Sequence, residues 1–86
     1  MRTVFLLMAQ YDGRAIIPVA LVCRDFFSHL TVNHFVKKAT HGEIKLPIIY
    51  IEPSQKAAKG IHVHDLAEYI DARRNVARKE MEAFLR

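Results

Sequence analysis

The chain has 86 residues, of which 51% are hydrophobic and 26% are charged, and its net charge at pH 7 is +4. This length allows one domain at most, and the composition is that of a globular protein rather than a disordered chain. No apolar run approaches the roughly 20 residues that a membrane span needs, and the single cysteine, Cys23, excludes a disulfide framework. We expect one cytoplasmic domain, residues 1–86, that does not bind a membrane.

The first element is an apolar segment within residues 1–13. Over residues 3–11, side chains recur at the spacing of a helix, and Asp12 and Gly13 then break the pattern. We favour a short helix, but the same apolar run also fits a buried strand.

The next elements are a short strand and two helices. The strand is predicted over residues 15–17, and the first helix begins at Pro18, because proline is well suited to the first helical position. The second helix, residues 32–41, begins after Thr31, a good N-cap, and ends at Gly42.

Helix 32–41 has two distinct faces. Apolar residues at i, i+3, i+4 and i+7 form a stripe that faces the core: Val32, Phe35, Val36 and Ala39. The opposite face is polar and cationic: Asn33, His34, Lys37, Lys38 and His41. This helix therefore presents a row of hydrogen-bond donors to a partner.

The positive charge is concentrated in the middle of the chain, because residues 36–60 hold five lysines and two glutamates. There the strand-forming run 48–51 is followed by a basic loop, 53–60, and by the alternating segment 61–64. We predict a β-hairpin with a basic tip, followed by a long helix over residues 65–86.

This order of elements predicts the fold. A two-helix unit followed at once by a hairpin is the layout of a winged helix-turn-helix, similar to excisionase and MerR-like domains. The fold class is α+β and mostly helical, with residues 15–64 forming the helix-turn-helix and wing, flanked by the N-terminal segment and the C-terminal helix.

Double-stranded DNA is the partner that fits this layout. B-DNA has closely spaced phosphates and a major groove that admits one helix, so helix 32–41 would enter the groove and the loop would contact phosphates. The alternative is that these polar residues belong to a solvent-exposed helix face and a surface loop that bind no partner. The predicted DNA-binding residues are Thr31, Asn33, His34, Lys37, Lys38, His41, Lys45, Ser54, Gln55, Lys56 and Lys59.

The two end segments predict a homodimer. Apolar residues of the outer part of the last helix have nothing obvious to bury them within one small domain, and a twofold dimer would present two reader helices to DNA. The alternative is that the two end segments pack on each other within one chain. The predicted dimerisation residues are Val4, Leu7, Met8, Ala77, Met81 and Phe84.

No arrangement of residues predicts an enzyme or a cofactor. The chain has only three glycines, so it has no glycine-rich phosphate loop, and it has no nucleophile elbow. Its five histidines lack the partners that would complete a zinc site. We expect no catalysis, no metal, no cofactor and no small-molecule substrate.

Four segments together are similar to a known family. They are VFLLMAQYDG (4–13), IPVALVCRDFFSHLT (17–31), GEIKLPI (42–48) and SQKAAKGIHVHDLAEYIDARR (54–74). Over nearly its whole length the chain resembles the pyocin activator family, the PrtN type of small regulators. None of these segments is a catalytic signature.

The resemblance implies a transcriptional activator that binds short repeated boxes upstream of phage-tail-like bacteriocin genes. It also implies contact with RNA polymerase and control by a partner repressor in the DNA-damage response. Two other hypotheses stay open: a protein-interaction module, such as a phage antirepressor or accessory protein, and an excisionase-like architectural DNA binder.

Overall fold

The computed structural model describes residues 2–85; Met1 and Arg86, which the predicted end segments include, lie outside this range. The described chain is α+β and mostly helical, with four helices and one small antiparallel sheet. The elements in chain order are α1 (Thr3–Gln10), β1 (Ile16–Pro18), α2 (Val19–Phe26), α3 (Val32–Thr40), β2 (Ile49–Tyr50), β3 (Lys59–His62) and α4 (Val63–Phe84).

The three strands form an antiparallel sheet in the order β1-β3-β2. On one side of β3, Ile17 pairs with Ile61, and on the other side Ile49 pairs with Gly60. Gly60 has to be small, because a Cβ there would collide with the side chain of Ile16 in the neighbouring strand. The hairpin β2–β3 is thereby held to the helices through β1.

One hydrophobic core joins the sheet to all four helices. Its largest fully buried side chains are Phe35, Ile17, Ile61, Leu66 and Val22. The ring of Phe35 from α3 stacks on that of Phe27, which follows α2, with centroids 4.7 Å apart. This contact fixes α3 against α2.

Local signals in the sequence set the ends of α3. The Thr31 hydroxyl oxygen accepts a hydrogen bond of 3.2 Å from the backbone N–H of His34, which satisfies one of the free donors of the first turn. Gly42 follows the helix with a φ of 80°, a conformation that favours glycine. The predicted cap and terminator are both confirmed.

The N-terminal segment is helix α1, so the strand alternative is wrong. Leu7 is buried in the core and Val4 packs against it, while the Thr3 hydroxyl donates a 2.6 Å hydrogen bond to Asp71 of α4. The first half of α4 and α1 therefore pack on each other within one chain.

A polar cluster joins the end of α1 to α2. The buried Tyr11 hydroxyl donates a 2.6 Å hydrogen bond to the Asp25 carboxylate, which also accepts from the Arg24 guanidinium at 2.8 Å. Burial, and then the bond to Asp25, raise the pKa of Tyr11 above its usual range. The bonds from Arg24 and then from Tyr11 lower the pKa of Asp25.

We expect Tyr11→Phe to lower the free energy of unfolding by about 1 to 2 kcal/mol, because it removes a hydrogen bond from a buried hydroxyl. Because the pKa of Tyr11 is higher in the folded chain than in the unfolded chain, its contribution to stability is complete below the unfolded-state pKa. This contribution begins to be lost as the pH rises past about 10. Because the pKa of Asp25 is lower in the folded chain than in the unfolded chain, its contribution to stability is complete above the unfolded-state pKa. This contribution begins to be lost as the pH falls below about 4.

The difference in the free energy of unfolding between wild type and Tyr11→Phe is therefore largest between about pH 4 and about pH 10, and smaller outside this range. Urea unfolding at several pH values measures it. Arg14→Ala, a change at a nearby exposed residue outside the cluster, is the control. Equal stability of wild type and Tyr11→Phe at neutral pH would contradict a stabilising role for this cluster.

Two boundaries differ from the predictions. Pro18 is the last residue of β1, opposite Gly60, and α2 begins one residue later, because the extended backbone of Pro18 continues the strand. Similarly, β3 ends at His62 and α4 begins at Val63, because the His62 side chain caps the helix by accepting from the backbone N–H of His64 at 3.1 Å.

The second half of α4 extends away from the core. Every described residue from Asp71 onward is exposed, and the chain measures 50 × 28 × 19 Å along its principal axes. Between residues 2 and 85, no helix has the combination of length and apolar character that crossing a bilayer requires.

Candidate nucleic-acid interface

The cationic face of α3 is open to solvent. The core stripe of α3 turns Phe35 inward, so the residues on the far side point outward. All five predicted polar residues are exposed: Asn33, His34, Lys37, Lys38 and the C-cap residue His41. Residues 2–85 leave this face uncovered.

The hairpin presents a folded basic tip. The Ser54 side-chain oxygen accepts a 3.2 Å bond from the backbone N–H of Lys56, which leaves the Lys56 side chain exposed. Lys59, by contrast, is half-buried. Its Nζ atom lies 5.3 Å from the centre of the Tyr50 ring and donates a 3.0 Å hydrogen bond to the Gln55 carbonyl.

Lys59 therefore joins the tip to β2. It lies opposite Tyr50 in the strand register, so the contact of its ammonium with the ring is a cross-strand pair. A lysine predicted to bind phosphate is thus also a positioning residue for the hairpin.

A cleft of about 390 Å³ separates α3 from the hairpin. Asn33 and Lys37 border it from the α3 side, and Gln55 and Lys59 border it from the hairpin side. The structure thus brings four of the predicted DNA-binding residues to one concave surface. The full lining is Val19, Val32, Asn33, Val36, Lys37, Tyr50, Gln55 and Lys59.

The cleft and its rim are positively charged. None of the described residues that line the cleft is acidic, whereas two are lysines. The ion pair found within residues 2–85 joins Arg24 to Asp25, so Lys37, Lys38 and Lys56 make no ion pair there. Their ammonium groups are available to an anionic partner.

The other predicted residues lie outside the cleft. His34, Lys38 and His41 are exposed without lining it, and the Thr31 side chain caps α3. Lys45 borders a second cleft, against α4, together with Asp65 and Glu68. The structure therefore does not bring Lys45 to the surface shared by α3 and the hairpin.

Four residues that line the cleft are absent from the predicted DNA-binding set: Val19, Val32, Val36 and Tyr50. The sequence predicts Tyr50 only as part of a strand-forming run, and it predicts Val32 in the buried stripe, yet Val32 is 39% exposed and lines the cleft. The strand register opposite Lys59 would have identified Tyr50, but the sequence alone does not give that register.

The histidines form no metal site in the part of the chain that is described. His62 and His64 stack with ring centroids 5.4 Å apart, although His64 belongs to α4 rather than to the strand. No group of three metal-ligating side chains occurs among residues 2–85.

The predicted dimerisation residues divide into two sets. Leu7 is buried in the core of its own chain and Val4 is half-buried against that core. Met8 is exposed, as are the three residues near the end of α4, with 91% exposure at Phe84.

The comparisons with known proteins give one match. A family model described as "Pyocin activator protein PrtN" matches residues 3–77, which include the whole cleft and both elements that border it. No curated protein and no solved structure gave a match to the chain.

Proposed function

The chain belongs to the pyocin activator family, and on this premise we propose that it activates transcription of bacteriocin genes by binding DNA directly. In this proposal α3 reads repeated promoter boxes and the β2–β3 hairpin contacts the adjacent phosphates. The family is one of regulators rather than enzymes.

The shared cleft is the observation that carries the proposal. The B-DNA major groove, about 12 Å wide, admits one helix, whereas phosphates flank it on both sides. Asn33 and Lys37 on α3 face Gln55 across the cleft. A DNA strand lying in the cleft would therefore meet donors from both elements.

In this proposal α3 and the hairpin make different kinds of contact with DNA. Asn33 and His34, in the first turn of α3, would contact base edges, because the N-terminal residues of a recognition helix point into the groove. Lys37 and Lys38 would contact phosphates or guanine edges. Lys56 at the tip would contact phosphate, while Lys59 holds the hairpin in position through Tyr50.

The element order supports a winged helix-turn-helix interpretation of this fold. The pair α2–α3 is followed by the hairpin β2–β3, and β1 adds a third strand to it. We propose that α3 is the recognition helix and that the hairpin is the wing. Activation further implies contact with RNA polymerase, for which no surface is assigned.

A protein-interaction module is the second candidate. It is favoured by apolar side chains that are exposed on α1 and at the end of α4, such as Phe5, Met81 and Phe84. An antirepressor would use these residues on a protein partner and would not need the cationic cleft.

Binding to a fluorescently labelled promoter duplex, taken from upstream of the bacteriocin genes, tests the proposal. We expect the promoter duplex to bind about 1,000-fold more tightly than a shuffled duplex, the lower end of the range for specific complexes. Affinity should fall steeply between 50 and 200 mM salt, because each phosphate contact adds about 0.9 to the logarithmic slope.

Equal affinity for the promoter and shuffled duplexes, or no binding at 50 mM salt, would favour the protein-interaction module. A circularly permuted set of the same duplexes would identify an architectural role, since a bent complex migrates according to the position of the bend.

A further inference from the structure

The apolar stripe of α4 continues beyond the core. Val63 and Ala67 are buried and Ile70 is half-buried against the core. The same alternating spacing of three and four residues then leads outward through Arg74, Ala77, Met81 and Phe84. We call this row of residues, from Val63 to Phe84, the seam of α4. From Asp71 onward the seam is exposed, so within one chain it has no partner in the described residues.

The charges beside the seam follow a definite pattern. Arg73 and Glu80 lie along one flank, at the positions just before the residues Arg74 and Met81 of the seam. Asp71 and Arg78 lie along the other flank. Each flank thus carries one acidic and one basic residue, seven residues apart.

We propose that α4 pairs with α4 of a second copy in the antiparallel direction, as a short two-helix coiled coil. This inference deepens the dimer that the sequence predicts and does not depend on DNA. In this register Ile70 packs on the partner's Met81, and Arg74 lies beside the partner's Ala77, where its alkyl stem covers the small side chain.

Antiparallel pairing makes both flanks complementary. Arg73 then faces the partner's Glu80, and Asp71 faces the partner's Arg78. Twofold symmetry repeats each pair, so four opposite-charge contacts surround the seam. Asp71 already accepts the Thr3 hydroxyl through Oδ1, which leaves its second oxygen for the arginine.

Parallel pairing gives the opposite result. Arg73 would face the partner's Arg78, and Arg74 would meet the partner's Arg74 inside the seam. Like charges at both places oppose association, so the charge pattern selects the antiparallel direction.

Helix α1 extends the same surface. In the antiparallel register the partner's Phe84 reaches the level of Ala67, where the seam is covered by the core and α1 lies against α4. Phe5 and Leu6 of α1 are both more than half exposed. They supply apolar surface for the partner's last turn, which a coiled coil of about 14 residues needs, because isolated short helices are marginal.

Sedimentation equilibrium of the full chain without DNA tests this proposal. We expect a dimer, and we expect Arg73→Glu to raise its dissociation constant about tenfold, because two attractive contacts become repulsive. Arg73→Glu with Glu80→Arg should restore the wild-type value. The matched control is Lys79→Glu, which makes the same charge change on an exposed position outside the seam and its flanks.

Each other outcome overturns the proposal. Tighter association of Arg73→Glu would indicate parallel helices, and an unchanged dissociation constant would exclude this register. A monomeric wild-type chain would remove the dimer altogether, but promoter binding, measured separately, would still decide the proposed function. Circular dichroism verifies that each variant keeps its helices.

Discussion

The double variant Lys37→Ala with Lys38→Ala is expected to bind promoter DNA about 60-fold more weakly than the wild type at 0.1 M salt. The estimate follows from counterion release, because one phosphate contact contributes a factor of about eight at this salt concentration. Both side chains are exposed on α3, and neither makes an ion pair within residues 2–85. The logarithmic salt dependence should become flatter by about 1.8.

The matched control removes the same two charges elsewhere. Arg14→Ala with Lys79→Ala changes exposed residues that lie outside the cleft, and we expect its salt slope to stay close to the wild-type slope. Loss of binding in both double variants would indicate a general charge effect rather than a specific surface.

The hairpin lysines give a second measurement at the same surface. Lys56→Ala removes an exposed charge and should flatten the salt slope by about 0.9. Lys59→Ala also releases the hairpin from Tyr50, so its effect should exceed that of one phosphate contact. If binding were unchanged in Lys56→Ala with Lys59→Ala and also in the α3 double variant, this interface would be wrong.

Phe35→Ala is expected to lower the free energy of unfolding by about 3 to 5 kcal/mol. The ring is fully buried and stacks on Phe27 between α2 and α3, so its removal leaves a cavity at the centre of the domain. A domain of this size has about 4 to 13 kcal/mol in total. The loss is therefore a large fraction of the total stability, and the variant should unfold at a clearly lower urea concentration than the wild type.

Urea unfolding followed by circular dichroism measures this loss. Val32→Ala, on the same helix, is the control: its side chain is 39% exposed, and alanine has the better helix propensity, so the stability should change by less than about 1 kcal/mol. Similar stability of the two variants would contradict the central position of Phe35.

Helix α3 could be predicted almost residue by residue, because local chemistry sets its limits. The Thr31 hydroxyl caps it, the apolar stripe buries Phe35, and the left-handed turn at Gly42 follows it. None of these signals needs a partner from elsewhere in the chain.

The sequence is ambiguous for those elements whose secondary structure depends on contacts with distant parts of the chain. Residues 61–64 alternate as a strand would, but pairing with β1 stops at His62, and capping by that same side chain starts α4. The spacing of the apolar segment of α1 favours a helix but also fits a buried strand, and its packing on α4 stabilises the helix.

The residues of the candidate site also differ in whether local or distant contacts place them. The exposed polar face of α3 follows from helical periodicity, so its five residues could be predicted. The cleft depends on where the hairpin lies relative to α3, and the place of the hairpin in the sheet follows from strand pairing and from the close packing of Gly60 against Ile16. Tyr50 and Val32 therefore emerge only from the fold, and so does the separation of Lys45 from the cleft.

The single helix α4 spans two regimes of local stability. Its amides up to Ile70 are protected by the folded core, whereas those after Asp71 belong to a solvated segment too short to persist on its own. In a solution dilute enough to keep the chains monomeric, the rate of amide hydrogen–deuterium exchange should therefore rise abruptly after Ile70, about one third of the way along α4. Under the antiparallel pairing proposed above, a protease would meet exposed residues of α4 after Asp71 mainly in monomeric chains, so the lifetime of this regulator would depend on its own concentration.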